Sequence, residues 1–465
     1  MTLPINQIIN KDWIEAAKEL PDQSVHCIIT SPPYWGQRNY GVEGQLGLEA
    51  TPELHIEKLV AGFRELRRVL RDDGTLWVNY GDKYAGSGGE NDNFSKGIKK
   101  GTVNSQNTNL DSGNLLGLAW RLALALQADG WILRSDIIWA KGLSFCDSYS
   151  GSVMPESVNG WRWERCRVKV KELRKRTGGK IAENQDRNDA DGGRIGNQAW
   201  NEYKDCPGCP KCEKNGGYVF RKGSWRPTKG HEYLFMFAKK QGYYCDMEAV
   251  REPQTSDPNK IKPAKGVKNV CDETTGKMMR FKPQEIFFNP SGRNLRDVWV
   301  INPQVWSRAH YATFPEKLVE PIIKVSTSQK GVCPKCGSQW CRVVDVYQQK
   351  LTGSTGKTKV PNANNWEEIN NRTNRVSTTL GWRPTCGCQS EISYLKSLEP
   401  IPAVVYDPFM GSGTVAAVAA KLGRNYCGSE LSKDYLDNQA NIRIAEAETG
   451  VTMEEIEAGQ GALFE

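Results

Sequence analysis

The sequence predicts an α/β fold with an open sheet, and two stretches far apart in the chain support this prediction. Residues 24–29 form a short apolar, β-branched run, which predicts a buried strand because it is too short for a helix. Thr30-Ser31-Pro32-Pro33-Tyr34-Trp35 ends that strand, since neither proline has an N–H to donate. Residues 404–406 predict a second strand, which leads through a glycine-containing turn, 407–413, into an alanine- and valine-rich helix, 414–422.

Both stretches place polar groups at the carboxyl ends of strands, where open α/β sheets bind their ligands. The two prolines make a rigid corner that carries the Ser31 hydroxyl and the Tyr34 ring. In the second stretch, glycines let a ligand approach the backbone, and the N–H groups of the helix start can bind a carboxylate or a phosphate. The next strand, 425–429, ends at Glu430, an acid suited to ribose hydroxyls. Taken alone, this unit is compatible with NAD, with S-adenosylmethionine (AdoMet) or with no nucleotide.

The T-S-P-P-Y-W stretch at 30–35 and the D-P-F-x-G-S-G-T stretch at 407–414 together resemble the amino-methylating DNA methyltransferases. The catalytic motif precedes the cofactor motif, which is the order of their β group, and the similarity extends through both ends of the chain and much of its middle. The resemblance implies a Rossmann-like, AdoMet-dependent methyltransferase sheet with polar DNA-recognition insertions. It also implies methyl transfer from AdoMet to the exocyclic amino group of a base flipped out of double-stranded DNA.

The corner after the first strand is expected to be catalytic through Ser31, Pro32, Pro33 and Tyr34. An exocyclic amine is a poor nucleophile because its lone pair is delocalised into the base, so the corner must hold the amine and accept its hydrogens. We expect the Ser31 Oγ and the Pro32 carbonyl to be the acceptors. Tyr34 is expected to stack on the base, with Trp35 able to share this role.

The resemblance also names the residues that would contact AdoMet. Two of them lie in the H-Y-A-T-F-P-E-K-L string at 310–318, which matches the usual form of a cofactor-contacting segment. For Asp12, a plain helix N-cap is an equal alternative. The expected contacts are Asp12, Thr313, Phe314, Asp407, Pro408, Phe409, Gly411, Ser412, Gly413, Thr414 and Glu430.

The identity of the methylated base is predicted from the first residue of the corner. Serine at this position is commoner in the resembled cytosine-N4 enzymes, so cytosine N4 is favoured and adenine N6 is the alternative. Cytosine C5 methylation is disfavoured, because the chain has no Pro-Cys-Gln tripeptide to present a cysteine nucleophile. Two alternatives share the motifs: a non-catalytic, AdoMet- or zinc-dependent DNA-binding adaptor, and an RNA or protein amine methyltransferase.

The cysteines cluster in two groups with the spacing of metal ligands. Cys206, Cys209 and Cys212 predict a zinc knuckle, and Cys166 is the best candidate for the fourth ligand, although a buried free thiol is an equal interpretation. C-x-x-C and C-x-C pairs, about fifty residues apart, predict a second site, with reduced thiols as the alternative. The second set is Cys333, Cys336, Cys386 and Cys388.

Composition predicts a soluble, cytoplasmic protein, since no run approaches the ~18 apolar residues of a membrane span and no signal-peptide core is seen. The net charge of +8 is compatible with a polyanionic partner. The resemblance predicts double-stranded DNA as partner, no membrane, and leaves open a homodimer and a cognate restriction endonuclease. The predicted organisation is a catalytic half at 1–145, an insertion with the Cys knuckle at 146–230, a return strand at 231–245, a target-recognition region at 246–296, an AdoMet-binding half at 297–330 and 391–465, and a zinc-ribbon-like insertion at 331–390.

Overall fold

The computed structural model divides by its packing into two units. Unit 1 comprises Met1–Val153 and Gly230–Glu465, and unit 2 comprises Met154–Lys229. The structure describes residues 2–86, 108–141, 160–171, 201–253, 269–271, 278–280, 292–304, 314–349, 374–388 and 399–451. Within these ranges no helix is both long enough and apolar enough to cross a lipid bilayer.

The strands of the described residues are β1 (Gln7–Ile9), β2 (Val25–Thr30), β3 (Leu70–Tyr80), β4 (Ile132–Ala140), β5 (Arg162–Arg165), β6 (Arg167–Lys171), β7 (Asn201–Asp205), β8 (Tyr218–Arg221), β9 (His231–Ala238), β10 (Asn269–Cys271), β11 (Met278–Arg280), β12 (Val298–Val300), β13 (Trp340–Gln349), β14 (Asn374–Pro384), β15 (Val404–Asp407) and β16 (Asn425–Ser429). The helices are α1 (Trp13–Lys18), α2 (Pro52–Val69), α3 (Leu118–Ala128), α4 (Glu316–Ser326), α5 (Thr414–Lys421), α6 (Lys433–Tyr435) and α7 (Asn441–Thr449). A π-helical turn, Leu436–Ala440, joins the last two helices.

Unit 1 is built on an eight-stranded sheet with the order β1-β16-β15-β2-β3-β9-β4-β12. All of these strands are parallel except β9, which is antiparallel to both of its neighbours. Helices cover both faces: the side chains of α1, α2 and α3 pack into one core cluster, and those of α4, α5 and α7 pack into the other. The predicted α/β fold is therefore confirmed as a mixed sheet between two helical layers.

The two stretches that predicted the fold form neighbouring strands. Every residue of β2 is buried, as expected for a short apolar run in the middle of a parallel sheet. β15 lies beside β2 in parallel, with Val405 paired to Cys27 and Tyr406 paired to Ile28. The carboxyl ends of parallel neighbours lie at the same edge of a sheet, so the corner at 31–34 and the turn at 407–413 meet there.

β9 reverses the chain direction between β3 and β4. Tyr233 pairs with Tyr80, and His231 pairs with Ala140, so the amino-terminal end of β9 lies beside the carboxyl ends of both neighbours. This places the first residues of β9 at the same sheet edge as the corner at 31–34.

The cysteine-containing insertion contacts the opposite edge of the sheet through His26 on β2. Nδ1 of the buried His26 accepts a hydrogen bond from the N–H of Val404 at 3.0 Å, so Nε2 carries the proton and donates to the carbonyl of Gly337 at 2.9 Å. Burial lowers the pKa of His26 to about 4, which keeps the ring neutral. Nη1 of Arg71 donates to the carbonyl of Cys336 at 2.9 Å. The loop between Cys333 and Gly337 is thus bound to β2 and β3.

We expect the His26→Leu substitution to lower the free energy of unfolding by about 2–4 kcal/mol, because the buried N–H of Val404 and the partly buried carbonyl of Gly337 lose their partner. Unfolded His26 protonates near 6.5 and folded His26 near 4, so the wild type loses stability as pH falls through this window. In the leucine variant, the free energy of unfolding should lack this decrease as the pH falls. Urea unfolding at several pH values measures both effects. If the free energies of unfolding of wild type and variant differ by less than about 0.5 kcal/mol, the role of this ring is contradicted.

Candidate active site

The edge where β2 and β15 end contains a cleft of about 380 Å³. The corner after β2 lines one side through Ser31, Pro32, Pro33 and Tyr34, the residues predicted to be catalytic. Nine of the residues predicted to contact the cofactor also line the cleft: Asp12, Phe314, Asp407, Pro408, Phe409, Gly411, Ser412, Thr414 and Glu430. Two further residues were predicted to contact the cofactor. Thr313 lies outside the described residues, and Gly413 packs against the backbone of Ala440.

A hydrogen bond between residues 377 positions apart joins the two stretches. The Thr30 hydroxyl, at the end of β2, donates to Oδ1 of the buried Asp407 at 2.9 Å, and the N–H of Phe409 donates to the same oxygen at 3.0 Å. Burial, together with a smaller contribution from the nearby Glu430 carboxylate, raises the pKa of Asp407 to about 7. The Asp407 carboxyl therefore holds the start of the glycine turn against the catalytic strand.

The glycine turn is closed by Glu430. Its Oε2 accepts from the N–H of Gly411 at 2.8 Å, and its Oε1 accepts from the N–H of Ser432 at 2.8 Å. Burial raises the pKa of Glu430. Gly413 has φ +78°, and a Cβ there would lie 2.9 Å from Cα of Ala440, so both conformation and space require glycine. The turn is thereby fixed at the start of α5.

Arg443 on α7 holds the two hydroxyls of the turn, and the sequence analysis did not single it out. Its Nη1 donates to Oγ1 of Thr414 at 2.6 Å and to Oγ of Ser412 at 3.2 Å, and its Nη2 bonds Oε1 of Glu316 at 3.2 Å. The guanidinium is buried beneath the turn. The hydroxyls of Ser412 and Thr414 are therefore acceptors for this guanidinium.

Asp12 adopts the N-cap geometry that was the alternative to cofactor binding. Its Oδ1 accepts from the N–H of Ile14 at 2.9 Å and from that of Glu15 at 3.3 Å, which caps α1. The cap also places this carboxylate on the wall of the cleft. Beside it, the ring of Phe409 packs against Trp13 with centroids 4.7 Å apart.

The corner at 31–34 contains a network of short polar contacts. The Tyr34 hydroxyl lies 2.9 Å from Oδ1 of Asn79, 3.0 Å from Oε2 of Glu232 and 3.3 Å from Oγ of Ser31. Burial and the Glu232 carboxylate raise the pKa of Tyr34 well above its ordinary value, so the phenol keeps its proton. Trp35 does not share the cleft: its ring is fully buried, and its Nε1 donates to the carbonyl of Glu49 at 2.9 Å.

Residues 25–334 and 394–441 match a family described as DNA methylase, of the N6/N4 methyltransferase type. The chain belongs to this DNA methylase family. It is 29% identical over 436 residues to the type II methyltransferase M.Cfr9I of Citrobacter freundii, covering 92% of this chain and 85% of that protein. It is 32% identical over 322 residues to the type II methyltransferase M.XycI of Xanthomonas campestris pv. cyanopsidis, covering 68% of this chain and 71% of that protein.

Among solved structures, this DNA methylase is similar to the PvuII DNA methyltransferase (cytosine-N4-specific), with a TM-score of 0.41 and 11% identity, covering 97% of this chain and 90% of that one. The family match confirms the resemblance stated from the two motifs, and the protein is a DNA methyltransferase. The interpretation as a non-catalytic adaptor is not favoured.

Three polar residues of the methylase corner were missed by the sequence analysis. Asn79 is the penultimate residue of β3, Lys141 directly follows β4, and Glu232 is the second residue of β9. Nζ of Lys141 lies 2.6 Å from Oε1 of Glu232 and 4.5 Å from the centroid of the Trp139 ring. The polar run before β9 was a usable signal for Glu232, but only the antiparallel direction of that strand brings it to the corner.

The methylase also brings together both predicted sets of cysteines. In unit 2 the set is Cys166, Cys206, Cys209 and Cys212, and in unit 1 it is Cys333, Cys336, Cys386 and Cys388. Within each set the four sulfur atoms all lie within 4.8 Å of one another. Cys166, for which a buried free thiol was the alternative, lies beside the other three cysteines of its set. Four converging thiols are the ligand set of structural zinc sites.

Proposed function

We propose that this DNA methylase transfers a methyl group from AdoMet to the exocyclic amine of a base flipped out of duplex DNA, with cytosine N4 as the acceptor. One observation supports it above others: the Ser31–Tyr34 corner and the glycine turn at 407–413 line the same cleft. Serine in the first position of the corner favours cytosine over adenine. AdoMet is an activated methyl donor, so the protein's contribution is mainly positioning.

In this proposal the corner supplies the groups that the amine needs. The Ser31 Oγ and the Pro32 carbonyl accept the amine hydrogens, which directs the nitrogen lone pair towards the methyl group and stabilises the positive charge that develops on nitrogen. The Tyr34 ring stacks on the extruded base, supported from behind by the Tyr80 ring at a centroid distance of 4.7 Å. Pro33 keeps the corner rigid.

The other wall of the cleft is suited to AdoMet. Glu430 and Asp12 would bind hydroxyls of the ribose, since the backbone donors they already hold leave lone pairs on their oxygens. Phe409 and Phe314 would contact the adenine, and the turn Gly411–Thr414 would face the methionine end. We retain Thr313 as a proposed contact on the strength of the 310–318 string alone.

The product nucleoside tests this proposal. The methylase is incubated with labelled AdoMet and unmethylated duplex DNA, and the DNA is digested to nucleosides. We expect N4-methylcytosine. N6-methyladenine would move the proposal to the other base of the family, whereas 5-methylcytosine would contradict the chemistry assigned to the corner. DNA without any methylated nucleoside would contradict the activity itself.

We also propose that each cysteine set binds one structural zinc ion. The convergence of four thiols supports this proposal, since four thiolates in a tetrahedral arrangement suit Zn²⁺. The unit 1 ion would fix the loop that contacts His26 and Arg71. The unit 2 ion would join the segment around Cys166 to the knuckle at 206–212.

Unit 2 is proposed to contact the DNA backbone. Its excess of Lys and Arg over Asp and Glu equals the +8 of the whole chain, so the rest of the protein is neutral in sum. The antiparallel pair β5–β8 exposes an aromatic cluster, in which Phe220 packs against Trp161 and Trp163 at centroid distances of 5.6 and 5.2 Å. Nζ of Lys222 lies 5.2 Å from the Trp161 ring centroid. Cationic side chains beside exposed aromatic rings can bind the phosphates and sugars of a nucleic-acid backbone.

We expect the double substitution Trp161→Ala and Trp163→Ala to raise the KM for DNA about tenfold, corresponding to one or two lost stacking contacts, and to leave kcat and zinc content unchanged. The two rings are 68% and 55% exposed, so their loss should not unfold the unit. Trp225→Ala is the matched control, because Trp225 is 64% exposed in the same unit and lies outside this cluster. An equal KM in the double variant and the control would contradict the contact.

Other parts of the predicted organisation remain proposals. Most of the target-recognition region at 246–296 and the middle of the 331–390 insertion lie outside the described residues. A homodimer and a cognate restriction endonuclease stay predictions from the family, and size-exclusion chromatography with light scattering tests the first of them.

A further inference from the structure

A chain of polar contacts runs from the catalytic corner to an ion pair that the reaction proposed above does not use. Oε2 of Glu232 lies 3.0 Å from the Tyr34 hydroxyl, and its Oε1 lies 2.6 Å from Nζ of Lys141. The Glu232 and Lys141 side chains are only 11% and 13% exposed, and both line the cleft. The Glu232 carboxylate therefore lies within hydrogen-bond distance of both an ammonium group and a phenol, and its two oxygens can accept from both.

The direction of the hydrogen bonds follows from how many protons each group has. Tyr34 has a single hydroxyl proton and two acceptors near it, Asn79 at 2.9 Å and Glu232 at 3.0 Å. A charged carboxylate is the stronger acceptor, so the proton points to Glu232. The amide of Asn79 is oriented by its own donation from Nδ2 to the carbonyl of Tyr233 at 3.0 Å, which turns Oδ1 towards the corner.

This arrangement determines what Ser31 can do. With the phenol proton on the side of Glu232, the Tyr34 oxygen is an acceptor, and the Ser31 hydroxyl donates to it at 3.3 Å or to Oδ1 of Asn79 at 3.4 Å. The hydrogen of Ser31 therefore points into the protein. Its lone pairs are left for the cleft, where the proposed reaction needs an acceptor.

We propose that Glu232, held by Lys141, is a positioning residue that acts through Tyr34 to make Ser31 an acceptor and that receives the proton released by the reaction. The inference rests on the proposed function. Neither residue was among the sites predicted from the sequence, and neither touches the base in this proposal.

The proton balance is complete within these groups. As the amine nitrogen bonds the methyl carbon, the carbon–sulfur bond breaks with its electron pair on sulfur, so the positive charge moves from sulfur to nitrogen. The nitrogen then loses one proton to Ser31 Oγ while the Ser31 proton passes to Tyr34 and the Tyr34 proton passes to Glu232. The neutral Glu232 returns its proton to water in the cleft, and its ion pair with Lys141 is restored.

A double-mutant cycle tests this chain of contacts. We expect Glu232→Gln to lower kcat about 30- to 100-fold, the effect of losing a positioned proton acceptor, with the KM values for AdoMet and DNA within about twofold of wild type. Tyr34→Phe should lower kcat by a similar factor. Because both act through the same hydroxyl, the double variant should be no slower than the slower single variant. Multiplying effects would instead show that Glu232 acts independently of Tyr34, and would overturn the proposal.

A second readout does not depend on turnover. In protein labelled with ¹³C at tyrosine Cζ, the Tyr34 signal is identified by its absence in Tyr34→Phe, and it should shift in Glu232→Gln because the charged acceptor of its hydroxyl is gone. Asp72→Asn is the matched control: Asp72 pairs with Lys239 and Lys240, and it lies at the start of β3, away from the cleft. It should leave both kcat and the Tyr34 signal unchanged.

The outcomes separate the two proposals. A wild-type protein that methylates DNA together with an unimpaired Glu232→Gln variant overturns the role of Glu232 alone. A folded wild-type protein without methyl transfer overturns the proposed function and, with it, this inference. If Glu232→Gln does not fold, as judged by its thermal unfolding, Glu232→Asp takes its place. Its carboxylate is one methylene shorter, so a kcat below that of the wild type with a shifted Tyr34 signal supports the contact, and wild-type kcat with an unshifted Tyr34 signal overturns it.

Discussion

Substituting Ser31 with alanine should lower kcat about 10²- to 10³-fold, which is the effect of removing one preorganised hydrogen-bonding group from a site where charge develops. The Ser31 Oγ lies at the wall of the cleft, on the corner that follows β2. The substitution removes the acceptor and leaves the backbone of the corner, which the two prolines hold. The glycine turn is untouched, so the Kd for AdoMet should stay within about twofold of wild type.

Single-turnover kinetics and calorimetric titration of AdoMet separate these two effects. Ser24→Ala is the matched control, because Ser24 precedes the same strand at its opposite end and its hydroxyl donates to the carbonyl of Pro21, at 2.7 Å. The control should keep wild-type kcat. A Ser31→Ala protein with full activity would contradict the assignment of the corner, and one that no longer binds AdoMet would place Ser31 on the cofactor side.

Loss of the unit 1 metal is the second change with a large expected effect. We expect two equivalents of zinc in the wild type, and one in Cys336→Ser. We also expect the Tm to fall by at least about 5 °C, because metal binding contributes directly to folding. The loop that this site would fix supplies the carbonyls bound by His26 and Arg71. Its release should therefore destabilise the catalytic half as well as the insertion.

Metal analysis and thermal unfolding measure this prediction, with Cys341→Ser as the control. Cys341 is exposed, lies in β13 of the same insertion, and belongs to neither set of converging thiols. It should keep two equivalents and a wild-type Tm. A wild-type protein with well under one equivalent of zinc would contradict both proposed sites.

The parts of the site that the sequence predicted are those with strong local signals. The two prolines after β2 and the glycines after β15 restrict the backbone where they stand, so strand ends and turn could be recognised without knowing the fold. The cysteine sets were recognisable for a similar reason, since each contains at least one pair at knuckle spacing. Asp407 was assigned with the turn, but its bond to Thr30 was not predicted.

The residues that were missed depend on the order and direction of strands. Glu232 reaches the corner only because β9 is antiparallel between β3 and β4. Arg443 reaches the turn because α7 packs beside α5, and a buried arginine in a helix has no distinctive sequence pattern. Trp35 shows the converse: its position next to Tyr34 suggested stacking on the base, but the chain turns its ring into the core. Contacts over long sequence distances cannot be read from local patterns.

The central claim is that the catalytic corner and the glycine turn form one active site for an amine and a methyl donor. The most direct measurement is a crystal structure of the protein with an unreactive AdoMet analogue and duplex DNA carrying the methylated sequence. The account predicts the extruded base against Tyr34, with its exocyclic nitrogen within hydrogen-bond distance of Ser31 Oγ and facing the analogue bound at Gly411. A base that stays in the duplex, or an analogue bound away from the 407–413 turn, would contradict it.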